Sequence, residues 1–323
     1  MTGWLIRRTA DAALTALVAV VLLVILVHLL PGDPLAPILR DRGADPATAA
    51  ALAARWGTNR TILQSLAALF TGVIHGDLGL SLSAQRPVLD VLADHLGPTL
   101  LLGSLTLLID FTVGLALGVW TALHADLATA RWVSALSVVG YTVPSFVVGT
   151  VLVWLFAVKL GWLPSGSIAD PLLSSSAGTW AILADHLRHL VLPLAALVIA
   201  TIAVPLRQQR SAVFEVAAQP WVLAARARGV APARIAWRHC WRPALTPIVT
   251  LLGLWLPLLV AGAVFVEVVF NWPGMGLLLA QATIDRDVPV VVAGGALLIV
   301  TVQAGSLLAD VLYHVVDPRQ RPT

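Results

Sequence analysis

The chain alternates long apolar stretches with shorter polar ones. Six apolar stretches each hold about the twenty residues that a helix needs to cross a hydrocarbon core roughly 30 Å thick. They lie at residues 10–30, 99–121, 133–158, 190–206, 247–269 and 288–313. Only a helix satisfies its own backbone polar groups in lipid, so we predict an all-α polytopic membrane protein with six transmembrane helices.

Arginine is unevenly distributed among the segments that connect these spans. The 207–246 segment carries seven arginines, whereas the 159–189 segment has only Lys159 and Arg188 as basic residues. Short cytoplasmic loops are enriched in Lys and Arg, so the 207–246 segment is predicted to be cytoplasmic. Six spans then place both the N-terminus and the C-terminus in the cytoplasm.

The same pattern predicts how the chain is divided. The predicted parts are the N-terminus with the first helix (1–30), an extracytoplasmic region (31–98), a transmembrane core (99–313) and a cytoplasmic tail (314–323). The core includes the cytoplasmic loop 207–246 and an irregular outer loop, 159–189. Short helices are expected from Pro46 to Trp56 and from Thr61 to His75, before a turn at Gly76–Gly79.

Composition supports a bilayer environment. The 323 residues are 59% hydrophobic and 11% charged, and the mean hydropathy is +0.89. Too few polar side chains are present to coat a soluble globule of this size. The net charge of +3 does not indicate nucleic-acid binding, because the arginines lie beside apolar spans. Cys240 is the single cysteine, which excludes an internal disulfide and a four-cysteine metal site.

No catalytic motif is present in the sequence. A nucleotide-binding P-loop requires a lysine that reaches the phosphates, and the only lysine, Lys159, lies in Val158-Lys159-Leu160-Gly161. We therefore predict no catalytic residue, cofactor or metal in this chain, and an outside source of energy for any transport. Asp185, His186 and His189 have the spacing of a metal site, although an ordinary interfacial cluster is the favoured interpretation.

The cytoplasmic segment contains signals for two helices. Pro220 can start a helix and Gly229 can end it in the left-handed conformation, leaving a short helix over Trp221–Arg228. Pro232 starts a second helix, in which Arg234, Arg238 and Arg242 form a basic stripe opposite Ile235. A short helix of small residues is suited to docking in a partner's groove; a solvated basic loop is the equal alternative.

Polar and small residues inside the spans are candidates for function or packing. Asp110 lies in the second span, where an ionisable side chain either lines a pathway or bonds to a neighbouring helix. Gly114 and Gly118, spaced four apart on the same helix, permit close packing against another helix. Pro144 is one of several prolines in or beside the spans at which bends could serve gating.

Several motifs occur in order along the chain. One is the pattern Ala224-Ala225-x-x-x-Gly229, followed by 238–245. The others, in chain order, are Leu29–Pro34, Gly76–Ser81, Pro144-Ser145-Phe146, Val266–Gly276, Asp310–Tyr313 and Asp317-Pro318-Arg319. Together they resemble the permease subunits of ABC importers, in particular the dipeptide, oligopeptide and nickel branch, and the first pattern resembles the EAA loop of these permeases. The long region after the first span makes the chain similar to the first permease of such a pair.

The resemblance implies a type I ABC importer permease fold and a coupling helix that contains Ala224, Ala225 and Gly229. Leu223 stands where the family often has a charged residue, so Arg226 and Arg228 are expected to supply charged contacts to an ATPase. Pathway or helix-packing candidates are Asp110, Gly114, Gly118, Pro144 and Ser145.

The resemblance also implies partners. These are a second homologous permease, two ATPase subunits or one heterodimer that bind ATP and Mg, and an extracytoplasmic substrate-binding protein, all at a bacterial inner membrane. Peptides, nickel and opines remain open as substrates. Two other classes are weighed: a gradient-driven transporter or channel, which predicts paired intramembrane acids, and an intramembrane enzyme, for which His28 and Asp110 are the only candidate pair.

Overall fold

The computed structural model describes residues 2–29, 60–173, 178–245, 247, 248, 251, 255 and 263–316. Its helices, numbered in chain order, are α1 (Thr2–Leu29), α2 (Ile62–His75), α3 (Val88–Leu123), α4 (Ala128–Thr142), α5 (Ser145–Lys159), α6 (Thr179–Thr201), α7 (Ala203–Ala217), α8 (Pro220–Ala227), α9 (Pro232–Arg234 continued by Ile235–Trp241), α10 (Met275–Ile284) and α11 (Val288–Val316). Within the described residues there is no strand, only an isolated bridge between Leu80 and Pro87. The all-α prediction is confirmed.

Several of these helices are suited to crossing a membrane. Four single helices are long and apolar enough to do so: Gly3–Leu29, Val88–Leu123, Thr179–Thr201 and Val288–Leu308. The bent pair α4 and α5 supplies a further candidate. The predicted fifth span, 247–269, lies largely outside the described residues, as does the predicted helix from Pro46 to Trp56. The count of six therefore stays a prediction.

Two helices extend beyond the apolar stretches that predict their spans. Helix α3 starts at Val88, before the stretch at 99–121, and α6 starts at Thr179, before the stretch at 190–206. Residues 88–98, predicted as part of the extracytoplasmic region, and 179–189, predicted as part of the irregular outer loop, are thus helical. The reason is that hydropathy marks where lipid-facing residues occur, whereas a helix starts at a turn signal such as Pro87 or Gly178.

The third predicted span, 133–158, is not one straight helix. Helices α4 and α5 meet at an angle of 105°. Val143, which precedes Pro144, has φ −77° and ψ 129°, and is therefore extended. The proline ring disfavours helical geometry at the residue before it, which accounts for the break at this position.

The described residues fall into two compact units, residues 1–100 with 273–304 and residues 101–272 with 305–323. The predicted extracytoplasmic region, transmembrane core and cytoplasmic tail divide the chain differently from these two units, and they stay a prediction. In the first unit, α2 begins with a capping box in which Thr61 and Gln64 bond each other's backbone N–H. The apolar core of this unit joins residues of α3, α10 and α11: Val88, Leu92, Met275, Ala282, Val290 and Ala293.

A buried carboxylate holds the outer turn of the first unit to the start of α11. Asp287 is fully buried, and its Oδ2 accepts hydrogen bonds from the Ser81 hydroxyl at 2.6 Å and the Ser83 hydroxyl at 2.8 Å. The backbone N–H of Ser83 donates to the same oxygen at 3.0 Å. The end of the Gly76–Ser81 motif is therefore fixed against the beginning of the last helix.

In the second unit, α3 and α7 approach each other at glycines. A Cβ at Gly118 would lie 2.5 Å from the carbonyl oxygen of Leu206 and 2.8 Å from Cβ of Gln209. One turn earlier, a Cβ at Gly114 would lie 3.1 Å from Cγ1 of Ile202. The spacing of the two glycines thus permits the close backbone contact that small residues give in membranes.

This contact predicts a difference between two glycines of one helix. Gly118→Ala should destabilise the protein by about 1–3 kcal/mol, because the added methyl group has no space at the α7 backbone. Gly103→Ala on the same helix is the control, since no atom lies within 4 Å of its Cβ position. Thermal unfolding of both variants in detergent tests this; equal melting temperatures would contradict the close contact.

Candidate functional site

Helix α8 has the boundaries that the sequence predicts. Pro220 occupies the first turn, and Gly229 lies just beyond the helix with φ +72°. The Gly229 N–H donates to the Arg226 carbonyl at 3.0 Å, and the Val230 N–H donates to the Ala225 carbonyl at 3.2 Å. These two bonds form a Schellman motif, which requires a left-handed residue at the glycine position. The end of α8 is therefore fixed by its own backbone.

The two faces of α8 differ sharply. Val222 and Ala225 are fully buried, and they belong to an apolar cluster with Val213 of α7 and Ile235 of α9. The exposed residues of α8 and its end are Pro220, Trp221, Leu223, Ala224, Arg226, Ala227, Arg228 and Gly229. Of the predicted coupling residues, Ala225 thus faces inward, whereas Ala224, Arg226, Arg228 and Gly229 are exposed.

The single cysteine lies beneath this helix. Cys240 of α9 is fully buried in the same apolar cluster. Burial raises the pKa of the Cys240 thiol, and the positive charge of Arg226 partly offsets this rise. A buried thiol with a raised pKa holds little thiolate, so Cys240 serves packing rather than chemistry.

Helix α9 places its basic residues outward, as predicted. Arg234, Arg238 and Arg242 are all exposed, and Ile235 on the opposite side is buried. Trp237 is also exposed and pairs with Trp241 at a ring-centroid distance of 3.9 Å. The pairing of the two tryptophans was not predicted. Their spacing of four residues is the signal that could have indicated it.

Asp110 is a fully buried acid of the second unit. It begins a π-helical turn, Asp110–Gly114, inside α3. The Trp255 indole Nε1–H donates to Asp110 Oδ2 at 3.3 Å, whereas Oδ1 has no hydrogen-bond partner among the described residues. Trp255 belongs to another part of the chain, and its bond to Asp110 was not predicted from the sequence. The structure thus holds Asp110 in the interior through one of its two carboxyl oxygens.

Pro144 and Ser145 lie where α4 turns into α5. Pro144 is exposed, and Ser145 is half-buried at the first position of α5. One turn later, Gly149 contacts Phe270, since a Cβ there would lie 3.1 Å from the Phe270 ring. These residues shape a bend in the span rather than a cluster of reactive groups.

The outer loop is held by hydrogen bonding and apolar packing that its composition did not indicate. The Ser167 N–H donates to the Phe270 carbonyl at 2.7 Å, and Leu163 and Ile168 pack on an apolar core. The serines at 174–176 lie outside the described residues. Residues 160–173 of the loop are irregular, as predicted, but they are anchored.

The predicted metal candidates make local bonds instead. Asp185 accepts from the Asp170 N–H at 2.9 Å and lies 3.3 Å from Nδ1 of His189. His186 pairs with the carbonyl of Ile182 in its own helix. Among the residues that the structure describes, no three metal-binding side chains converge. A cavity of about 460 Å³ lies beside Asp185, and it is lined mainly by the outer loop.

This arrangement defines the class of the protein. It is a helical membrane protein in which a short, capped helix lies between segments that are suited to crossing a membrane. Residues 114–322 match the family described as the inner membrane component of binding-protein-dependent transport systems. The match covers more than half of the chain, so the protein belongs to this family of ABC transporter permeases.

Similar proteins match almost the whole length of the chain. It is 34% identical to a di/tripeptide transport system permease protein, DppB, of Pseudomonas aeruginosa, with 99% of both chains covered. It is 33% identical to the dipeptide transport system permease protein DppB of Escherichia coli, again over 99% of both chains. A putative peptide permease protein of Brucella ovis is 35% identical over 92% of each chain. The resemblance to the first permease of the dipeptide branch is confirmed.

The bond between Trp255 and Asp110 is testable by substitution. Trp255→Phe removes an N–H that a buried carboxyl group uses, so we expect a loss of about 1–3 kcal/mol in stability. The loss should shrink in an Asp110→Leu background, where no carboxyl group needs a donor. Trp180→Phe, at a position that is 82% exposed, is the control. Equal thermal shifts for Trp255→Phe in both backgrounds would show that the bond contributes nothing.

Proposed function

We propose that this chain is the membrane-spanning permease subunit of an ATP-driven importer of small peptides and forms half of the translocation pathway. The observation that carries the proposal is the outward face of α8, held by the Schellman motif at Gly229, in a chain whose only lysine lies outside any P-loop. Energy must then enter from a partner, and α8 is the element suited to receive it. The full-length similarity to di/tripeptide and dipeptide permeases supports peptides as the substrate class.

Docking would use the exposed side of α8. Ala224 lets a partner surface approach the helix closely, while Leu223 adds an apolar contact and Arg226 and Arg228 add positive charge. The buried side supports the transmission of movement, because Val222 and Ala225 pack on α7 and α9. A cytoplasmic ATPase that displaces α8 would therefore displace these helices with it.

The remaining assembly follows from this role. The chain would pair with a second homologous permease, and two ATPase subunits or one heterodimer would bind ATP and Mg. A substrate-binding protein would deliver peptides to the extracytoplasmic side. Six spans in a type I permease fold, cytoplasmic termini and an outer region at 31–98 complete the proposed arrangement at the inner membrane.

The pathway itself is proposed to run beside the bent span. The break at Pro144 interrupts a membrane-crossing segment at an angle of 105°, which gives the chain a hinge within the apolar region. Ser145 provides a hydroxyl group at that break. Asp110 is proposed as a structural residue because it is fully buried and Trp255 bonds its carboxyl group.

Gly229 gives the sharpest test of the coupling role. Gly229→Val forces a β-branched residue into a left-handed conformation at a cost of about 1–3 kcal/mol, which should disorder the end of α8. Uptake of labelled dipeptide by the reconstituted assembly should fall at least about tenfold, while membrane insertion stays normal. Gly229→Asn is the matched control, since asparagine tolerates this conformation. Normal uptake by Gly229→Val would refute the docking assignment.

The energy source has its own test. The purified chain in vesicles should not move dipeptide under a proton or sodium gradient, and uptake should require the ATPase subunits and ATP. Transport by the chain alone down such a gradient would replace the proposal with a gradient-driven transporter. As a control, ATPase subunits and ATP are added to the same vesicles. Uptake after that addition shows that the purified chain is folded.

A further inference from the structure

Helix α9 and the residue that follows it carry a basic and aromatic surface. It consists of Arg234, Trp237, Arg238 and Arg242, and we refer to it as the α9 basic face. All four side chains are exposed, and Trp237 is 60% exposed. We propose that the α9 basic face binds the headgroups of anionic phospholipids at the membrane surface.

The geometry of the face concentrates positive charge on one side. The three arginines recur every four residues, so they lie on one side of the helix about one turn apart. Ile235 and Cys240 are buried on the other side, which fixes the arginines outward. Within the described part of the chain, none of the three arginines forms an ion pair. Their charge is therefore available to a negatively charged ligand.

The arginine side chain suits a phosphate group. A guanidinium group presents a planar fork of N–H donors that bonds two phosphate oxygens at once. Each basic residue beside a membrane raises the binding constant for an anionic surface about fivefold. Three of them on one face are sufficient to select anionic over neutral headgroups.

The tryptophan pair indicates a membrane rather than bulk water. Trp237 and Trp241 lie 3.9 Å apart, with the Trp241 ring half-buried and the Trp237 ring outward. An exposed indole is costly in water, but at a lipid interface its apolar ring meets acyl chains while its N–H meets headgroups. Arginine and tryptophan side by side match the two layers of that interface.

The position of α9 along the chain brings this face to the membrane. The apolar stretch that we predict as the fifth span begins at residue 247, five residues after Arg242. Five residues of chain span at most about 17 Å even when fully extended, so Arg242 lies no farther than that from the start of the apolar stretch. The α9 basic face is thus expected within reach of lipid phosphates.

An acidic protein surface is the competing occupant. Helix α8 already presents two arginines, Arg226 and Arg228, on its own exposed side. The short distance of Arg242 from the apolar stretch and the exposed Trp237 favour lipid for α9 over a second protein contact. If lipid is the occupant, replacing the α9 arginines should lower lipid retention. If an acidic protein is the occupant, it should lower the binding of that protein.

The test uses the full-length chain in nanodiscs of phosphatidylcholine with and without phosphatidylglycerol. Native mass spectrometry counts the phosphatidylglycerol molecules retained after release from the disc. The triple variant R234Q/R238Q/R242Q should retain at least about tenfold less of this lipid than the parent chain. The double variant R226Q/R228Q is the matched control, and it should retain as much as the parent chain.

Two further measurements make the result decisive. Retention by the unaltered chain should fall as salt rises, because exposed ion pairs are screened. Trp237→Ala should lower retention, whereas Trp180→Ala should not. Unchanged retention in the triple variant, or retention without salt dependence, would overturn the proposal. Loss of ATPase-subunit binding with lipid retention intact would assign the α9 basic face to a protein partner instead.

Discussion

The hydrocarbon core of a membrane offers no hydrogen-bond partner, and this constraint governs the described architecture. Backbone groups are satisfied within helices, and hydroxyl groups turn back on their own helix, as Thr106 does by donating to the Leu102 carbonyl at 2.8 Å. Two departures from regular helix occur at identifiable residues. Pro144 breaks a span, and Asp110 at a π-helical turn obtains a donor from Trp255.

Close helix packing links this architecture to the proposed coupling. Gly114 and Gly118 let α3 contact α7 at backbone distance, and Val213 of α7 packs on the buried side of α8. The exposed side of α8 is therefore connected to the interior of the second unit by contacts without intervening flexible chain. A rigid connection of this kind transmits displacement better than a loop does, because a packed interior resists compression.

Local signals explain which parts of this structure the sequence could predict. Proline and glycine set the ends of α8 within a residue, and Thr61 with Gln64 starts α2. Bonds between distant residues had no such signal: Ser81 and Asp287 are 206 positions apart, and Asp110 and Trp255 are 145 positions apart. The early starts of α3 and α6 were missed because polar residues can continue a helix beyond the apolar region. The inward position of Ala225 depends on how α8 packs, which its neighbours along the chain do not determine.

Cys240 has a practical consequence for following this protein in motion. Thiol-directed probes react with thiolate at accessible positions, and the only native thiol is buried beneath α8. A single cysteine introduced at Leu223 or Trp237 would therefore carry a fluorescent or spin label against a silent background, with no need to remove the native residue first. Such a label would report changes in the surroundings of α8 or α9 in the assembled transporter while the native packing stays intact.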